Sequence, residues 1–277
     1  MRIRNLMENT DGVAGCVPAH GLSFYVETAE HKLLLDLGPS DETLRNAEAL
    51  GVDLRAVDTM ILSHGHYDHS GGILPFTEIN DRAVIYMQSA APGEYFADDG
   101  EAAPERYRYI GIDRRIAELP QVRLLQGDAV IGDGLEIFTI ASRTHALPST
   151  NRRLLVRTAE GYRRDDFSHE HFLVIREAGR SVLLSGCAHN GILSILDEYV
   201  RRYGAAPDLV ISGFHLMKKS AYSEEELEEI RDIARELVRY PTRYVTCHCT
   251  GTVAFDVMKE ILGDRLEYVH CGEEVRV

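Results

Sequence analysis

The sequence contains neither a long apolar run nor many cysteines. No stretch of about 18 consecutive apolar residues occurs in its 277 residues, so a membrane-spanning helix is not predicted. The first ten residues, MRIRNLMENT, lack the apolar segment that a signal peptide needs. The five cysteines are an odd number without C-x-x-C spacing, which argues against a disulfide framework and against a separate zinc finger. These absences predict a soluble, cytoplasmic protein.

Positive charge is scarce relative to negative charge. The chain has 30 Lys and Arg residues against 44 Asp and Glu residues, which gives a formal net charge of −14. A surface of this sign repels phosphate backbones, so we expect no nucleic-acid partner. A small-molecule substrate is favoured instead, and without an apolar span we expect no membrane partner.

No linker rich in Pro, Ser or Gly divides the chain. Apolar, strand-like runs continue from the twenties to the last residues, so residues 1–277 are predicted to form a single domain. Eleven of these runs are predicted strands: 22–27, 32–36, 59–63, 83–87, 122–126, 135–140, 153–157, 171–176, 181–185, 208–212 and 243–247.

Four helices are predicted from apolar periodicity and from end signals. The first follows Ser40 as a candidate N-cap and stops at Gly51. Ser223 and Glu226 have the spacing of a capping box ahead of a long amphipathic stretch. The predicted ranges are 41–50, about 192–203, about 223–240 and about 252–262. Strands that alternate with helices favour a layered α/β sandwich.

A dense histidine motif follows the third predicted strand. The segment HGHYDHSGG, residues 64–72, places three histidines and an aspartate within six positions. Imidazole and carboxylate groups are common ligands of zinc and of other transition metals. Four ligands on one short loop can rarely all reach one tetrahedral ion. The spacing therefore predicts two ions, with His64 and His66 on one, and Asp68 and His69 on the other.

This motif, lying behind LLLDLG at residues 33–38, resembles the metallo-β-lactamase superfamily. The resemblance implies an α/β fold, an αββα sandwich with a metal site at the edge of its two sheets. Further segments are similar to one branch, typified by 7,8-dihydropterin-6-methyl-4-(β-D-ribofuranosyl)aminobenzene-5'-phosphate synthase. These segments are HGLSFYVE (20–27), NAEALGVDL (46–54), GCAHNGI (186–192), GFHL (213–216) and CHCTG (247–251).

Two further histidines are expected to complete the ligand set. His189 follows an apolar run, and without it the first ion lacks a third histidine. His248 is expected to be the third protein ligand of the second ion, with neither Cys247 nor Cys249 as a ligand. Cys187 stands near the position where many superfamily members have a metal-bridging aspartate. There it is either a bridging thiolate or a buried, inert cysteine.

Other polar residues are candidates for orientation or substrate binding. Asp36 either caps a turn or, as the resemblance implies, orients a ligand histidine. His20 is a candidate residue of the active-site rim. His215 and Lys218, in GFHLMKKS, could receive a substrate phosphate, and His215 could also donate a proton. His145 is a loop residue, a ligand or a substrate contact, and we rank the loop first.

Residues 89–116 form an unusually long connection. They mix tyrosine, phenylalanine and arginine with Gly, Pro and Asp. Such a segment is either a mobile connector or a lid whose aromatic side chains stack on a flat ring. We interpret it as a lid insertion.

The predicted cofactors are two divalent metal ions, with zinc as the first choice and manganese or iron also compatible. The resemblance implies a transferase, in which an aminobenzene attacks the methylene of a dihydropterin methyl diphosphate and diphosphate leaves. The alternative is a hydrolase of the phosphodiesterase, lactonase or lactamase type that uses a metal-bridging hydroxide. Asp68 and His215 are the predicted catalytic residues, with His215 as the proton donor in the hydrolysis.

A protein that binds metal without catalysis is a third interpretation. The complete set of candidate ligands argues against it. A redox di-iron protein is also disfavoured, because the resemblance would then require a carboxylate where His66 stands.

Overall fold

The computed structural model describes residues 1–277 and has an α/β fold with 18 strands and six α-helices. The chain divides into two compact units. One unit comprises residues 1–128, 152–171 and 270–277, and the other comprises 129–151 and 172–269. Each unit contains a seven-stranded sheet and helices of its own. Whether residues 1–277 fold as a single domain stays a prediction.

The strands have the following bounds in chain order. They are β1 Arg2–Met7, β2 Ser23–Glu27, β3 Lys32–Leu35, β4 Thr59–Ile61, β5 Val84–Gln88, β6 Tyr95–Asp98, β7 Tyr107–Tyr109, β8 Val122–Leu125, β9 Ala129–Gly132, β10 Leu135–Phe138, β11 Leu154–Thr158, β12 Gly161–Arg164, β13 Phe172–Glu177, β14 Arg180–Leu184, β15 Leu209–Ser212, β16 Arg243–Thr246, β17 Leu266–Tyr268 and β18 Glu274–Val275. The helices are α1 Glu42–Ala49, α2 Tyr67–Ser70, α3 Ile73–Ile79, α4 Ile192–Tyr203, α5 Glu224–Leu237 and α6 Thr252–Leu262.

The first unit is built on a sheet in the order β18-β1-β2-β3-β4-β5-β8. Strands β3, β4, β5 and β8 are parallel to one another, and β3 is antiparallel to β2. Because parallel strands end at the same edge of a sheet, the residues that follow β3 and β4 lie beside each other. A second sheet in this unit has the order β12-β11-β6-β7 and is antiparallel throughout.

The second unit is built on a sheet in the order β17-β16-β15-β14-β13-β10-β9. Strands β14 to β17 are parallel, and the remaining pairs are antiparallel. The loops that follow β14, β15 and β16 therefore share one edge of the sheet. They contain the segments 185–191, 213–217 and 247–251.

Apolar side chains fill the interior of each unit. In the first unit Leu34, Met60 and Phe76 are fully buried. In the second unit Leu183 and Val210 are fully buried. Among the helices of the chain, none combines the length and the apolar character that a membrane span requires. The burial of these runs explains why continuous apolar stretches, rather than alternating ones, mark the parallel strands.

All eleven predicted strands are confirmed, with bounds that differ by at most two residues. The four predicted helices are also present, and the capping box of α5 forms between Ser223 and Glu226. The prediction of Ser40 as the N-cap of α1 is wrong by one residue, because Asp41 occupies that position. The Asp41 side chain makes no capping hydrogen bond. Seven strands and the short helices α2 and α3 were not predicted, since they are short or lack a clear apolar period.

The segment 89–116 contributes two strands, β6 and β7, to the four-stranded sheet. Ala91, Tyr95, Ile112 and Ile116 within it are buried. Part of the segment therefore belongs to the interior of the first unit. Closure of the segment over a substrate stays a prediction.

Candidate metal centre

The histidine motif begins just after β4 and ends in the first turns of α2. His66 is extended at the N-cap position, and Asp68 and His69 lie on the helix. A Cβ atom at Gly71 would lie 1.9 Å from the carbonyl oxygen of Pro39. Real side-chain carbons do not approach a backbone this closely, so glycine is required there. Gly71, near the end of the motif, therefore lets this loop pack directly against the backbone of Pro39.

The four motif side chains lie close together inside the first unit. His64 and His69 are fully buried, and His66 and Asp68 are nearly so. The ring centroid of His64 is 4.5 Å from that of His66 and 4.2 Å from that of His69. The predicted clustering of these four residues is therefore present in the structure.

Asp36 anchors the motif from the end of β3. Its carboxylate accepts hydrogen bonds from the backbone N–H of Ser63 at 2.8 Å, from the Ser63 hydroxyl at 2.7 Å and from Nδ1 of His69 at 2.7 Å. Asp36 is fully buried and has a φ of 60°, in the left-handed region. These bonds favour the interpretation that Asp36 orients a histidine over the interpretation that it caps a turn.

The same hydrogen bonds determine the tautomers of two histidines. Asp36 accepts the Nδ1 proton of His69, so the lone pair of that ring is on Nε2. The Ser63 hydroxyl gives its only proton to Asp36 and can therefore only accept from Nδ1 of His64, 2.8 Å away. His64 consequently also carries its lone pair on Nε2. Both rings have the protonation pattern of a metal-ligating imidazole.

Two neighbouring histidines differ in their pKa values. Burial, together with the nearby His169, lowers the pKa of His66 to about 3, so its ring is neutral at pH 7. For His69, burial acts to lower the pKa, but the Asp36 and Asp68 carboxylates outweigh it and raise the pKa. A cation bound beside His69 would take the place of the proton that the Asp36 and Asp68 carboxylates stabilise on this ring.

His20 lies at the surface beside the motif. Its Nε2 is 3.4 Å from Oδ2 of Asp68, and half of its side chain is exposed. Nδ2 of Asn9 lies 3.4 Å from its Nδ1. This position agrees with the expectation of a rim residue, whereas its role in substrate binding stays a prediction.

A buried His169–Asp165 pair supports the motif and was not identified from the sequence. Nδ1 of His169 accepts the backbone N–H of Gly65 at 2.9 Å, so its Nε2 is protonated and donates to Oδ2 of Asp165 at 3.0 Å. The ring of Tyr95 packs 4.1 Å from the His169 ring. His66, Asp165 and His169 offer ligand atoms within 4.8 Å of one another, but both ring nitrogens of His169 are already engaged. The segment DDFSHEH, with an acid and a histidine four residues apart before β13, was the available signal.

In the second unit, His189 is held by Asn151. Nδ2 of Asn151 donates to the His189 carbonyl oxygen at 2.7 Å, and its Oδ1 lies 3.0 Å from Nδ1 of His189. The amide oxygen can only accept, so Nδ1 donates and Nε2 carries the lone pair. His189 is buried, with 1% of its surface exposed. It therefore has the same protonation pattern as His64 and His69.

His215 lies next to His189, with ring centroids 4.1 Å apart. Its backbone is left-handed, with a φ of 49°, and its Nδ1 is 3.0 Å from Oγ1 of Thr150. His248 is fully buried in a short 3₁₀ turn after β16 and also has a positive φ, of 47°. Positive φ values at two non-glycine residues within one sheet edge are typical of functional sites.

Lys218 and His145 each contact a carboxylate within the second unit. Nζ of Lys218 is 2.6 Å from both carboxylate oxygens of Glu226. Nε2 of His145 is 3.1 Å from Oδ2 of Asp197, and its backbone N–H donates to Ser194. The contacts of His145 agree with the interpretation as a loop residue. A substrate phosphate at Lys218 would have to compete with Glu226.

Comparison with known proteins shows similarity over nearly the whole chain. A family model described as the metallo-beta-lactamase superfamily matches residues 17–151. The 7,8-dihydropterin-6-methyl-4-(beta-D-ribofuranosyl)-aminobenzene-5'-phosphate synthase of Methanocaldococcus jannaschii is 26% identical over 277 residues, covering 93% of this chain and 90% of that protein. A protein of Methanopyrus kandleri named ribonuclease Z is 37% identical over 288 residues, covering 98% and 89%.

A solved structure is similar to the chain along its full length. The crystal structure of Tm1679, named a metal-dependent hydrolase of the beta-lactamase superfamily, aligns with a TM-score of 0.83 and 27% identity. The alignment covers 100% of this chain and 99% of that one.

Proposed function

Because the chain belongs to the metallo-β-lactamase superfamily, we propose that it is a dinuclear metal-dependent enzyme acting on a small phosphorylated substrate. The observation that carries this proposal is the arrangement of hydrogen bonds around His64, His69 and His189. Each ring donates from Nδ1 to a buried partner and keeps the Nε2 lone pair for an ion.

The ligands of the two ions are proposed as follows. His64, His66 and His189 hold the first ion, and Asp68, His69 and His248 hold the second. The donor set fits a borderline divalent cation, since it combines neutral imidazoles with one carboxylate. Zinc is the first choice, and manganese and iron are compatible. When bound, two such ions would supply Lewis acidity and would lower the pKa of bound water.

The chain's own residues have separate proposed roles. Asp36 and Asn151 orient ligand histidines through Nδ1. Asp68 is a ligand and a catalytic residue that lies within reach of His20. His215, with Nδ1 near the Thr150 hydroxyl, is the proposed proton donor to a leaving group. His20, His215 and Lys218 are the proposed substrate-binding residues.

The proposed reaction is the transfer that releases diphosphate, and it is supported by the Methanocaldococcus relative, which is named a synthase of the corresponding dihydropterin–aminobenzene phosphate. In it, the amine of an aminobenzene forms a C–N bond with the methylene of a dihydropterin methyl diphosphate, the C–O bond to diphosphate breaks, and the amine nitrogen loses one proton to the solvent. The alternative is a metal-dependent hydrolase, as the name of Tm1679 indicates for that protein. The proposed location is the cytoplasm.

Two assays test the proposal. Elemental analysis of protein purified without added metal should find two equivalents of divalent ion, and a His66→Ala, His69→Ala double variant that retains full metal content would contradict the ligand assignment. Diphosphate release should then be measured with the dihydropterin methyl diphosphate and the ribofuranosylaminobenzene phosphate. Faster turnover of an uncharged lactam or lactone, without inhibition by diphosphate, would favour the hydrolase.

The phosphate site has its own test. Inorganic diphosphate should inhibit competitively against bis-p-nitrophenyl phosphate, and Lys218→Ala should weaken this inhibition without changing metal content. Lys219→Ala is the matched control, since it removes an equal charge from the next position. If diphosphate inhibits the wild type and both variants equally, Lys218 is not part of the substrate site.

A further inference from the structure

A groove in the second unit lies between the start of α4, one face of α5 and the loop 145–148. Its volume of about 550 Å³ is within the range of small-molecule binding sites. None of the proposed metal ligands or substrate-binding residues lines this groove. The proposed function therefore does not account for it.

Part of the groove's lining is apolar. Ile192 and Leu193, in the first turn of α4, are buried, and so is Phe214, in the loop after β15. Ile233 of α5 is half-buried, so it still presents apolar surface to the groove. These side chains can cover the methylene groups of a ligand but cannot form hydrogen bonds with it. The ligand should therefore have an apolar body.

The α5 side of the groove is acidic. Four of its five acidic residues follow one another at spacings of four, three and four positions: Glu225, Glu229, Asp232 and Glu236. This spacing places them on one face of the helix. With a rise of about 1.5 Å per residue, the row of carboxylates is about 16 Å long. No Lys or Arg residue lines the groove, so it favours an elongated cation.

Two of these carboxylates form no ion pair within the chain. The remaining acidic residues of the groove pair with arginine side chains, whereas Glu225 and Glu229 do not. Oε1 of Glu229 accepts the backbone N–H of Ser149 at 2.9 Å, which leaves Oε2 for a ligand. Like charges four positions apart on a helix repel each other. A cation that reached both carboxylates would remove this repulsion.

We infer that the groove binds a linear aliphatic polyamine. Its ammonium groups pair with Glu225 and Glu229, and its methylene groups pack on the apolar lining. In such an amine, three or four methylene groups separate neighbouring ammonium groups by roughly the 5.4 Å pitch of a helix. This separation matches two carboxylates that are four residues apart on α5. A simple hydrocarbon would leave the carboxylates unpaired, and a compact cation would leave the apolar lining exposed.

The groove is connected to a candidate metal ligand through residues 149–151. Ser149 donates its backbone N–H to Glu229, and Asn151 holds His189 through two hydrogen bonds. A ligand on Oε2 restrains the Glu229 side chain while Oε1 stays bonded to Ser149. Occupation of the groove should therefore make local opening of residues 145–151 less frequent. Only the consequence for His189 rests on the proposed function, because binding in the groove requires no metal.

Isothermal titration calorimetry of the full-length, zinc-loaded protein with spermidine tests the binding at physiological salt. We expect one site, with an affinity about 10-fold or more above that for butylamine, which has a similar methylene chain but only one ammonium group. Equal affinities for the two amines would overturn the inference. Binding of several spermidine molecules without a distinct first site would also overturn it.

Charge-neutral variants identify the carboxylates. Glu225→Gln and Glu229→Gln should each weaken spermidine binding by up to about 5-fold, and the double variant by about 10-fold or more. The amide oxygen of Glu229→Gln can still accept the Ser149 N–H. Glu224→Gln is the matched control, because Glu224 is the neighbouring residue, pairs with Arg231 and lies outside the groove. Equal weakening in the control would show that spermidine binds to negative surface in general, which would overturn the inference.

Hydrogen exchange measured by mass spectrometry tests the connection to residues 145–151. Saturating spermidine should slow exchange of these backbone amides in the wild type but not in Glu229→Gln. Unchanged exchange in the wild type would overturn the connection. Neither measurement depends on turnover, so specific spermidine binding without any enzymatic activity supports the groove and contradicts the proposed function. Turnover without specific spermidine binding supports the enzyme and overturns the groove as a polyamine site.

Discussion

Asp36 is the residue on which the order of the histidine motif most directly depends. Its buried carboxylate accepts three hydrogen bonds, two from Ser63 and one from His69. Residues that orient metal ligands in this way are often worth a large factor in metal affinity. A change at Asp36 should therefore affect metal binding without removing any ligand.

Asp36→Asn should lower metal affinity by about 10–100-fold, because the amide cannot serve all three donors and His69 loses its fixed tautomer. Zinc affinity should be measured by competition with a chelating dye. Asp41→Asn is the control, since Asp41 pairs with Arg45 at the surface. Equal affinity of the Asp36→Asn and wild-type proteins would contradict this role.

His169 has a comparable role for the peptide between His64 and His66. It accepts the Gly65 N–H and donates to Asp165, so the loop position depends on both nitrogens. His169→Phe keeps the ring volume beside Tyr95 but removes both bonds, and should lower metal affinity by about 10-fold or more.

Companion variants separate hydrogen bonding from packing at His169. His169→Asn keeps an acceptor for Gly65 and should retain most of the affinity. Asp165→Asn should resemble His169→Phe, whereas the neighbouring Asp166→Asn should resemble wild type. If His169→Phe and His169→Asn bind zinc equally well, loss of the hydrogen bond to Gly65 does not cause the decrease in zinc affinity.

His171 should make the stability of the metal-free protein depend on pH. Burial, opposed by a hydrogen bond to the Leu62 backbone, lowers its pKa from 6.5 to about 3. As the pH falls from 6.5 towards 3, the unfolded chain takes up a proton that the folded protein does not. The free energy of unfolding should therefore decrease as the pH falls, by about 1.4 kcal/mol per pH unit for this residue near pH 5.

Urea unfolding of wild type and His171→Gln between pH 4 and pH 8 measures this contribution. The variant should have a shallower slope below pH 6.5 and a parallel profile above pH 7. Parallel profiles over the whole range would contradict the role of His171. His66, whose pKa is also lowered to about 3, should keep some pH dependence in both proteins.

At the scale of elements, helix α5 depends on its first turn. The Ser223 hydroxyl accepts the Glu226 N–H, and the Glu226 carboxylate accepts the Ser223 N–H. Glu226 also accepts from Lys218, so the cap connects the helix to the loop after β15. A sequence signature of four residues thus determines both a helix start and the position of a candidate substrate lysine.

Ser223→Ala should lower the free energy of unfolding by about 1 kcal/mol, because one backbone N–H of the first turn loses its partner. Chemical denaturation measures the change. Ser220→Ala, at an exposed position outside the helix, should change it by less than about 0.5 kcal/mol. Equal effects of the two substitutions would show that the cap contributes little.

The apolar runs of the parallel strands were predictable because their periodicity is local. Strands β6, β7 and β12 were not, since each is only three or four residues long. The pairing of β6 with β11 joins residues more than 50 positions apart, such as Phe96 with Leu155. No local pattern indicates a partner at that distance.

At the scale of the whole molecule, the net charge of −14 bears on the choice of substrate. One relative is named ribonuclease Z, whereas the charge of this chain opposes binding to a phosphate backbone. We expect no binding of transfer RNA in an electrophoretic mobility assay at physiological salt. Binding that weakens steeply as salt is raised would contradict this expectation and favour a nuclease.

The sequence by itself determined the fold class, most strands, four helices and the local ligand motif at residues 64–69. These features depend on periodicity, end signals and the spacing of residues close in the chain. Within that motif, four candidate ligands share one loop, so their clustering required no knowledge of the rest of the fold.

Only the tertiary structure decided which nitrogen of the candidate ligands His69 and His189 carries the lone pair. Their partners are distant in sequence, Asp36 for His69 and Asn151 for His189. Cys187 and Cys249 are also distant in sequence, and parallel strands bring them to one sheet edge. Hydrogen bonds and burial between residues far apart in the chain depend on three-dimensional packing, which local sequence patterns do not encode.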